Sequence, residues 1–230
     1  MTALRSVLFL LWFASISTIL SLVFVPVLAL PRGATVWLAR LWARATFWGL
    51  KFFAGISFEV RGTVPRGPVL VAAKHMSMWD TLALYLVLDQ PGIVLKRELL
   101  YVPFFGWFVS KAAAIPIDRS AGASALRKMS QAASRVLAEG RPVLIFPEGT
   151  RKKPGAAPDY KPGVAGLYGM LEVPCVPAAL NSGVYWTGFI KRPGTIVLEF
   201  LDPIPPGLKR AQFMTLLEKR IETATAALLP

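Results

Sequence analysis

From Phe58 onward, short apolar runs alternate with longer helical patterns, and this alternation constrains the fold of the 230-residue chain more than any other feature. The runs are Phe58–Arg61, Val69–Ala73, Ile93–Leu95, Ala113–Ile117, Pro142–Phe146, Cys175–Leu180 and Thr195–Leu201. They are short, apolar and bounded by turn-forming residues, so each is expected as a strand. Between them, Met78–Asp89, Phe104–Ser110, Ala123–Glu139, Gly163–Glu172 and Lys209–Leu228 carry helical patterns. Strands separated by helices return to the sheet through crossovers, which makes neighbouring strands parallel. The expectation is an α/β domain over residues 58–230, a largely parallel sheet with helices on both faces. Residues 1–57 read as an N-terminal hydrophobic two-helix membrane motif.

No charge occurs between Arg5 and Arg32, and Val7 to Leu30 is long enough to cross ~30 Å of hydrocarbon as a helix. Pro26 interrupts it. A spanning helix and a half-inserted helix turning back over Pro26 to Gly33 both fit that pattern. A cleaved signal peptide fits less well, because the run exceeds a usual signal core and Val27-Leu28-Ala29 is a poor cleavage site. Arg32, Arg40, Arg44 and Lys51 follow the run, whereas only the amino terminus and Arg5 precede it. By the positive-inside rule the bulk of the chain stays on the cytoplasmic side. Arg40, Arg44 and Lys51 also fall within about 40° of one another on a helical wheel, amid Trp37, Trp42, Phe47, Trp48, Phe52 and Phe53. A basic stripe on a Trp-rich helix suits the headgroup plane of a membrane. A core helix with three solvated cations is the bland alternative.

A net charge of +13 calls for an anionic partner. No nucleic-acid motif occurs and the aromatics cluster with the apolar helices, so nucleic acid is set aside. Anionic lipid headgroups, which attract a basic surface by ~1 kcal/mol per nearby Lys or Arg, are the expected partner. The lone Cys175 lies in an apolar run and reads as a packed thiol in a reducing compartment.

Two stretches carry chemistry. Lys74-His75-Met76-Ser77-Met78-Trp79-Asp80 holds the only histidine in the chain, at the handover from one strand to the next helix. Open α/β sheets place their chemistry at such carboxyl ends. An imidazole can take a proton from a hydroxyl at neutral pH, and a carboxylate on its other nitrogen fixes the tautomer. A histidine satisfied by backbone alone is the competing reading. The second stretch, Phe146-Pro147-Glu148-Gly149-Thr150-Arg151, also closes a strand. Gly149 permits a sharp turn whose amides could form an anion nest, and Arg151 brings a fork suited to phosphate. Lys152, Lys153 and Lys161 extend the positive field, and Glu148 is expected to hold neighbouring cations in place. Lys96 and Arg97 end a further strand on the same edge. Asp118 and Arg119 end another, where capping the next helix is an equal alternative. Pro103–Trp107 could face an acyl chain, the bilayer or the core. Pro174 and Pro177 suit an edge or a kinked wall rather than a mid-sheet strand.

Together these stretches resemble the bacterial 1-acyl-glycerol-3-phosphate acyltransferases. The family's Asn-His-x-x-x-x-Asp block is similar to Lys74-His75…Asp80, with Lys where Asn is usual. Its other three blocks resemble Ile115–Arg119, Phe146–Arg151 and Val173–Pro177, in the same chain order. The resemblance implies transfer of an acyl group from an acyl carrier protein or coenzyme A thioester to the sn-2 hydroxyl of lysophosphatidic acid. It gives His75 as general base and Asp80 as its orienting partner. Arg151 and Lys96 would bind the glycerol phosphate, with Arg119, Glu148, Gly149 and Thr150 shaping that site. No metal and no cofactor beyond the thioester co-substrate is implied. The implied location is the bacterial inner membrane, with the catalytic domain on its cytoplasmic face. Another lysolipid acceptor, such as lyso-ornithine lipid or lysophosphatidylcholine, keeps the same chemistry. A non-catalytic membrane-binding protein would leave His75 and Asp80 unexplained, and a hydrolase lacks its Gly-x-Ser-x-Gly elbow.

Overall fold

A computed structural model describes residues 1–118 and 122–230. The helices are α1 (Thr2–Val23), α2 (Arg32–Gly49), α3 (Met78–Val87), α4 (Phe105–Lys111), α5 (Gly122–Ala138), α6 (Gly163–Leu171), α7 (Ser182–Tyr185) and α8 (Arg210–Leu228). The strands are β1 (Ile56–Arg61), β2 (Leu70–Ala73), β3 (Gly92–Lys96), β4 (Ile115–Ile117), β5 (Val143–Ile145), β6 (Cys175–Leu180), β7 (Trp186–Thr187), β8 (Ile190–Lys191) and β9 (Gly194–Phe200). The seven expected strands form one sheet in the order β1-β9-β6-β2-β5-β3-β4. Five of them, β6 through β4, run parallel. β9 turns antiparallel to β6, and β1 follows β9 in parallel. β7 and β8 form a small hairpin with α7 ahead of it; all three fall in a stretch that the apolar pattern did not resolve.

Strand alternation divides the core in two. Val71 and Ala73 of β2 face a cluster with Phe9, Phe47, Trp79 and Leu84, under α1, α2 and α3. Leu70 and Ala72 face the opposite cluster, built on Met129, Val164, Phe213 and Leu217 of α5, α6 and α8. All four residues of β2 and all six of β6 are buried, as strands covered on both faces must be. α5 supplies its stripe from Ala125, Met129, Ala133, Val136 and Leu137, and α8 from Phe213, Leu217 and Ile221, both at helical spacing.

Pro177 lies in mid-sheet, contrary to the edge expected for it: β6 sits between β9 and β2. Its carbonyl accepts from Leu201 N–H at 2.9 Å, so the absent amide hydrogen faces the β9 side. There the chain lies between the isolated Cys175–Ile204 bridge and the first ladder pair, Ala178–Phe200. The two pairings differ in register by one residue, so the proline sits at a bulge, a place where the ladder is already irregular and a missing N–H is tolerated.

The apolar N-terminus forms a helical hairpin. α1 ends before Pro26, a short 3₁₀ turn covers Val25–Ala29, and α2 returns. Trp12 Nε1 donates to Ala45 O at 3.0 Å and Trp42 Nε1 to Ser17 Oγ at 2.9 Å, so the two helices run antiparallel. α1 is long and apolar enough to cross a membrane. Leu4, Val7, Leu8, Leu11, Ile19, Leu22 and Val23 on α1 and Trp37 and Trp48 on α2 are exposed. The basic stripe expected on α2 is broken, because Arg40 turns inward. It donates to Leu86 O at 3.1 Å and pairs with Asp89 at 3.7 Å, at the carboxyl end of α3 where a cation is favoured. Arg44 and Lys51 remain exposed.

Lys191 joins α1 to the β7–β8 hairpin. Its Nζ is buried, donates to the carbonyls of Gly188 and Phe189, and lies 4.8 Å from the Trp186 ring centroid. Its backbone N–H donates to Ser6 Oγ at 2.9 Å. Burial pulls the amine down to about 8 from its usual 10.5. Below pH 8 the folded state carries the full desolvation cost. Between about pH 8 and 10.5 the folded state sheds a proton that the unfolded chain retains, so this group adds stability as pH rises through that window. Denaturation of detergent-purified protein should therefore show the Lys191→Met variant losing ground to the parent between pH 8 and pH 10. A difference that does not vary with pH would contradict this account.

Candidate active site

His75 follows the carboxyl end of β2, and α3 begins three residues later. Ser77 is the N-cap of α3: its hydroxyl accepts from Trp79 N–H at 3.2 Å. Asp80, at the third helical position, returns a carboxylate to Ser77 N–H at 2.8 Å and completes a capping box. The same oxygen, Oδ2, accepts from Met76 N–H at 2.6 Å and lies 2.9 Å from His75 Nδ1. Oδ1 accepts from the Ser182 hydroxyl and sits 3.2 Å from Ser77 Oγ. The two hydroxyls are 2.8 Å apart, so the single Ser77 proton serves one or the other. Asp80 is fully buried. A buried carboxylate surrounded by donors accepts, so Nδ1 carries the imidazole proton and Nε2 is left with its lone pair.

The backbone of His75 is held as firmly as its ring. Its N–H donates to Glu148 Oε2 at 3.1 Å, and its carbonyl accepts from Lys152 N–H at 2.8 Å. Lys74 N–H donates to Ala178 O at 2.9 Å, tying the preceding residue to β6. Phe146, the residue after β5, stacks on the imidazole with ring centroids 4.0 Å apart and 21° between planes.

Behind this peptide lies a buried ionic network. Lys74 Nζ is 2.8 Å from Glu148 Oε1 and 2.8 and 3.0 Å from the two oxygens of Glu222 on α8. Tyr160 OH donates to Glu222 Oε1 at 2.9 Å. Burial, and then the charge of Glu222, push the Tyr160 hydroxyl far above its ordinary range, so it stays protonated and donates.

Parallel pairing brings the other sequence-expected residues to one edge. β2, β5, β3 and β4 lie side by side with their carboxyl ends together. Glu148 reaches that edge from β5 but is buried, with its oxygens on Lys74 and the His75 amide rather than on Arg151 or Lys152. Gly149 adopts the expected left-handed turn, φ 64°. Its N–H donates to Phe146 O at 2.9 Å, so that amide and the one of Lys152 are engaged inside the protein rather than open to an anion. Thr150 and Arg151 are exposed at the tip of the turn. Lys152 and Lys161 both pair with Asp159, at 3.4 and 2.8 Å, and these partners hold the Asp159 carboxyl below its ordinary value.

Lys96 ends β3, two strands from β2, or about 10 Å by strand spacing. It is exposed and pairs with Glu98 at 3.2 Å. Arg97 pairs with Asp118 at 3.0 Å, knitting the ends of β3 and β4. Arg119 lies outside the described residues. Leu99, Tyr101, Val102, Phe105 and Trp107 are exposed, so the aromatic stretch around α4 faces outward, beside α2.

Sequence reading missed Ser182, Tyr160 and Glu222, gave Phe146 no role of its own within the second stretch, and noted Lys74 only as a departure from a family pattern. Ser182 follows the carboxyl end of β6, so the rule that located His75 would have flagged it. Nothing local marks Glu222.

Residues 56–181 match the family model described as Acyltransferase. A 1-acyl-sn-glycerol-3-phosphate acyltransferase of Pseudomonas aeruginosa is 38% identical over 84% of this chain and 78% of its own. The 1-acyl-sn-glycerol-3-phosphate acyltransferases alpha of sheep (Ovis aries) and of Homo sapiens are 33% and 32% identical, over 82% and 80% of the chain and 69% of their own length. The crystal structure of a 1-acyl-sn-glycerophosphate (LPA) acyltransferase from Thermotoga maritima superposes with a TM-score of 0.78, covering 99% of both chains at 20% identity, which is a likeness of fold.

Replacing Ser182 with Ala removes a donor from the charged, buried Asp80. A hydrogen bond of that kind is worth about 2 kcal/mol, so Tm should fall by roughly 4–8 °C, read by circular dichroism in detergent. An unchanged Tm would mean that Ser182 contributes nothing to holding Asp80.

Proposed function

The chain belongs to the 1-acyl-sn-glycerol-3-phosphate acyltransferases, and on that premise we propose that it moves a fatty acyl group from a thioester to the sn-2 hydroxyl of lysophosphatidic acid, forming phosphatidic acid. The observation that carries the reading is the His75 Nδ1–Asp80 Oδ2 pair, 2.9 Å long, at the carboxyl end of a central parallel strand. With Nδ1–H committed to Asp80, Nε2 takes the proton from the acceptor hydroxyl as its oxygen attacks the thioester carbonyl. The tetrahedral intermediate then expels the thiolate, and the imidazolium returns the proton to sulfur. Asp80 keeps its charge throughout and stabilises the imidazolium. The thioester is already activated, so positioning plus general-base help, worth about 10²–10⁴-fold, suffices.

Arg151, exposed on the turn after β5, is the proposed phosphate ligand, with Lys96 at the edge of the same site. Thr150 and Gly149 shape that turn, and Glu148 acts from beneath by fixing His75. Arg119 is proposed for the phosphate side on the family resemblance alone. An acyl carrier protein or coenzyme A thioester is the proposed donor. The exposed apolar side chains of α1, α2 and α4, with Arg44 and Lys51 nearby, support docking to anionic lipid at the cytoplasmic face of a bacterial inner membrane.

Acyl transfer by detergent-purified protein tests the proposal, with lysophosphatidic acid, lyso-ornithine lipid and lysophosphatidylcholine as acceptors and both thioester types as donors. Lysophosphatidic acid should be the preferred acceptor, and the His75→Ala variant should lose turnover while remaining folded. Substantial activity in that variant would sink the general-base role. Arg151→Ala should raise KM for lysophosphatidic acid with little change in kcat, as expected for lost ground-state binding. A collapsed kcat at unchanged KM would place Arg151 on the transition state instead.

A further inference from the structure

The buried network behind His75 is larger than a base and its partner require. It runs from Tyr160 OH to Glu222, from Glu222 to Lys74 Nζ, from Lys74 to Glu148, and from Glu148 Oε2 to the His75 N–H. These residues come from the loop before α6, from α8, from the end of β2 and from the turn after β5. Lys74 and Glu148 are 2% and 0% exposed, whereas Glu222 is 25% exposed and so still meets water. Glu148 needs a donor at that place, which an ammonium or a neutral amide can supply, and Lys74 is contacted by two carboxylates rather than one.

A neutral amide at position 74 could donate to Glu148 but would bring no charge to answer a second carboxylate. Glu222 is the group that calls for the ammonium: it faces Lys74 with both oxygens. We propose that Glu222 on α8 is a positioning residue for the reaction, fixing the peptide of His75 through Lys74 and Glu148, with Tyr160 holding Glu222 in its bidentate pose. The inference rests on His75 acting as the base. It makes the C-terminal helix part of the catalytic apparatus without touching substrate.

Kinetics of single and double variants test the coupling. Glu222→Gln should lower kcat about tenfold with KM for lysophosphatidic acid within twofold of the parent, because substrate contacts are untouched. Tyr160→Phe, which deletes one hydroxyl, should lower kcat severalfold in the same manner. Lys74→Asn leaves Glu148 and Glu222 without their cation and should lose at least tenfold more than Glu222→Gln. Adding Glu222→Gln to Lys74→Asn should recover activity to within about fivefold of Glu222→Gln alone, since the unanswered second charge is then gone. A double variant no faster than Lys74→Asn overturns the proposal. So do Glu222→Gln and Tyr160→Phe enzymes with unaltered kcat, or losses that merely track the unfolded fraction seen by circular dichroism. His75→Ala run alongside separates the two levels. Activity in that variant refutes the base, whereas an inert His75→Ala beside an unaffected Glu222→Gln refutes only the role of α8.

Discussion

One buried carboxylate carries the local structure of this site. Asp80 Oδ2 accepts from the amides of Met76 and Ser77 and from the imidazole, while Oδ1 takes the Ser182 hydroxyl. A charge in that position, away from water, is tolerated because each oxygen is satisfied and because it sits in the first turn of α3, where the helix dipole favours an anion. The group that starts the helix is thus the group that orients the imidazole. Folding of the strand–helix junction and placement of the His75 ring are one event.

The sheet converts this local device into a site. A chain whose strands are separated by helices places the carboxyl ends of β6, β2, β5 and β3 on one edge, whatever the loops do. Ser182, His75, Glu148 and Lys96 each follow or end one of those strands, and adjacency in the sheet supplies the contacts. Glu148 and the Lys152 amide grip the His75 peptide from the neighbouring strand β5, and Phe146 lies against its ring. The histidine has little freedom left, which suits the proposed acyl transfer, a reaction that depends more on placement than on a strong acid or base.

The N-terminal hairpin shows the two faces that a helix must reconcile. Phe9, Phe47, Leu50 and Ala54 enter the same core as Val71 and Trp79, so the hairpin is packed on the sheet rather than trailing from it. The opposite side of α1 presents leucines, isoleucine and valines outward, more apolar surface than water-facing helices normally leave bare. Arg40 illustrates the limit of wheel reasoning. Its angular position grouped it with Arg44 and Lys51, but the end of α3 lies within its reach and the unpaired carbonyls there claim it.

Periodicity and turn residues were enough to set the α/β class, the seven sheet strands and five of the helices of the domain, because burial on both faces and helical spacing write themselves directly into the order of apolar residues. The pairing of His75 with Asp80 was legible because the two lie five positions apart across one strand–helix turn, within reach of a local contact. Contacts between residues far apart in the chain were not. Glu222 and Lys74 are 148 positions apart and meet only because α8 packs along β6 beside β2, and Ser182 reaches Asp80 across 102 positions. Glu148 reads in sequence as a charge that holds the neighbouring cations of its own turn in place. Only the tertiary structure, by burying it next to a lysine and a backbone amide, decides that it holds His75 from beneath.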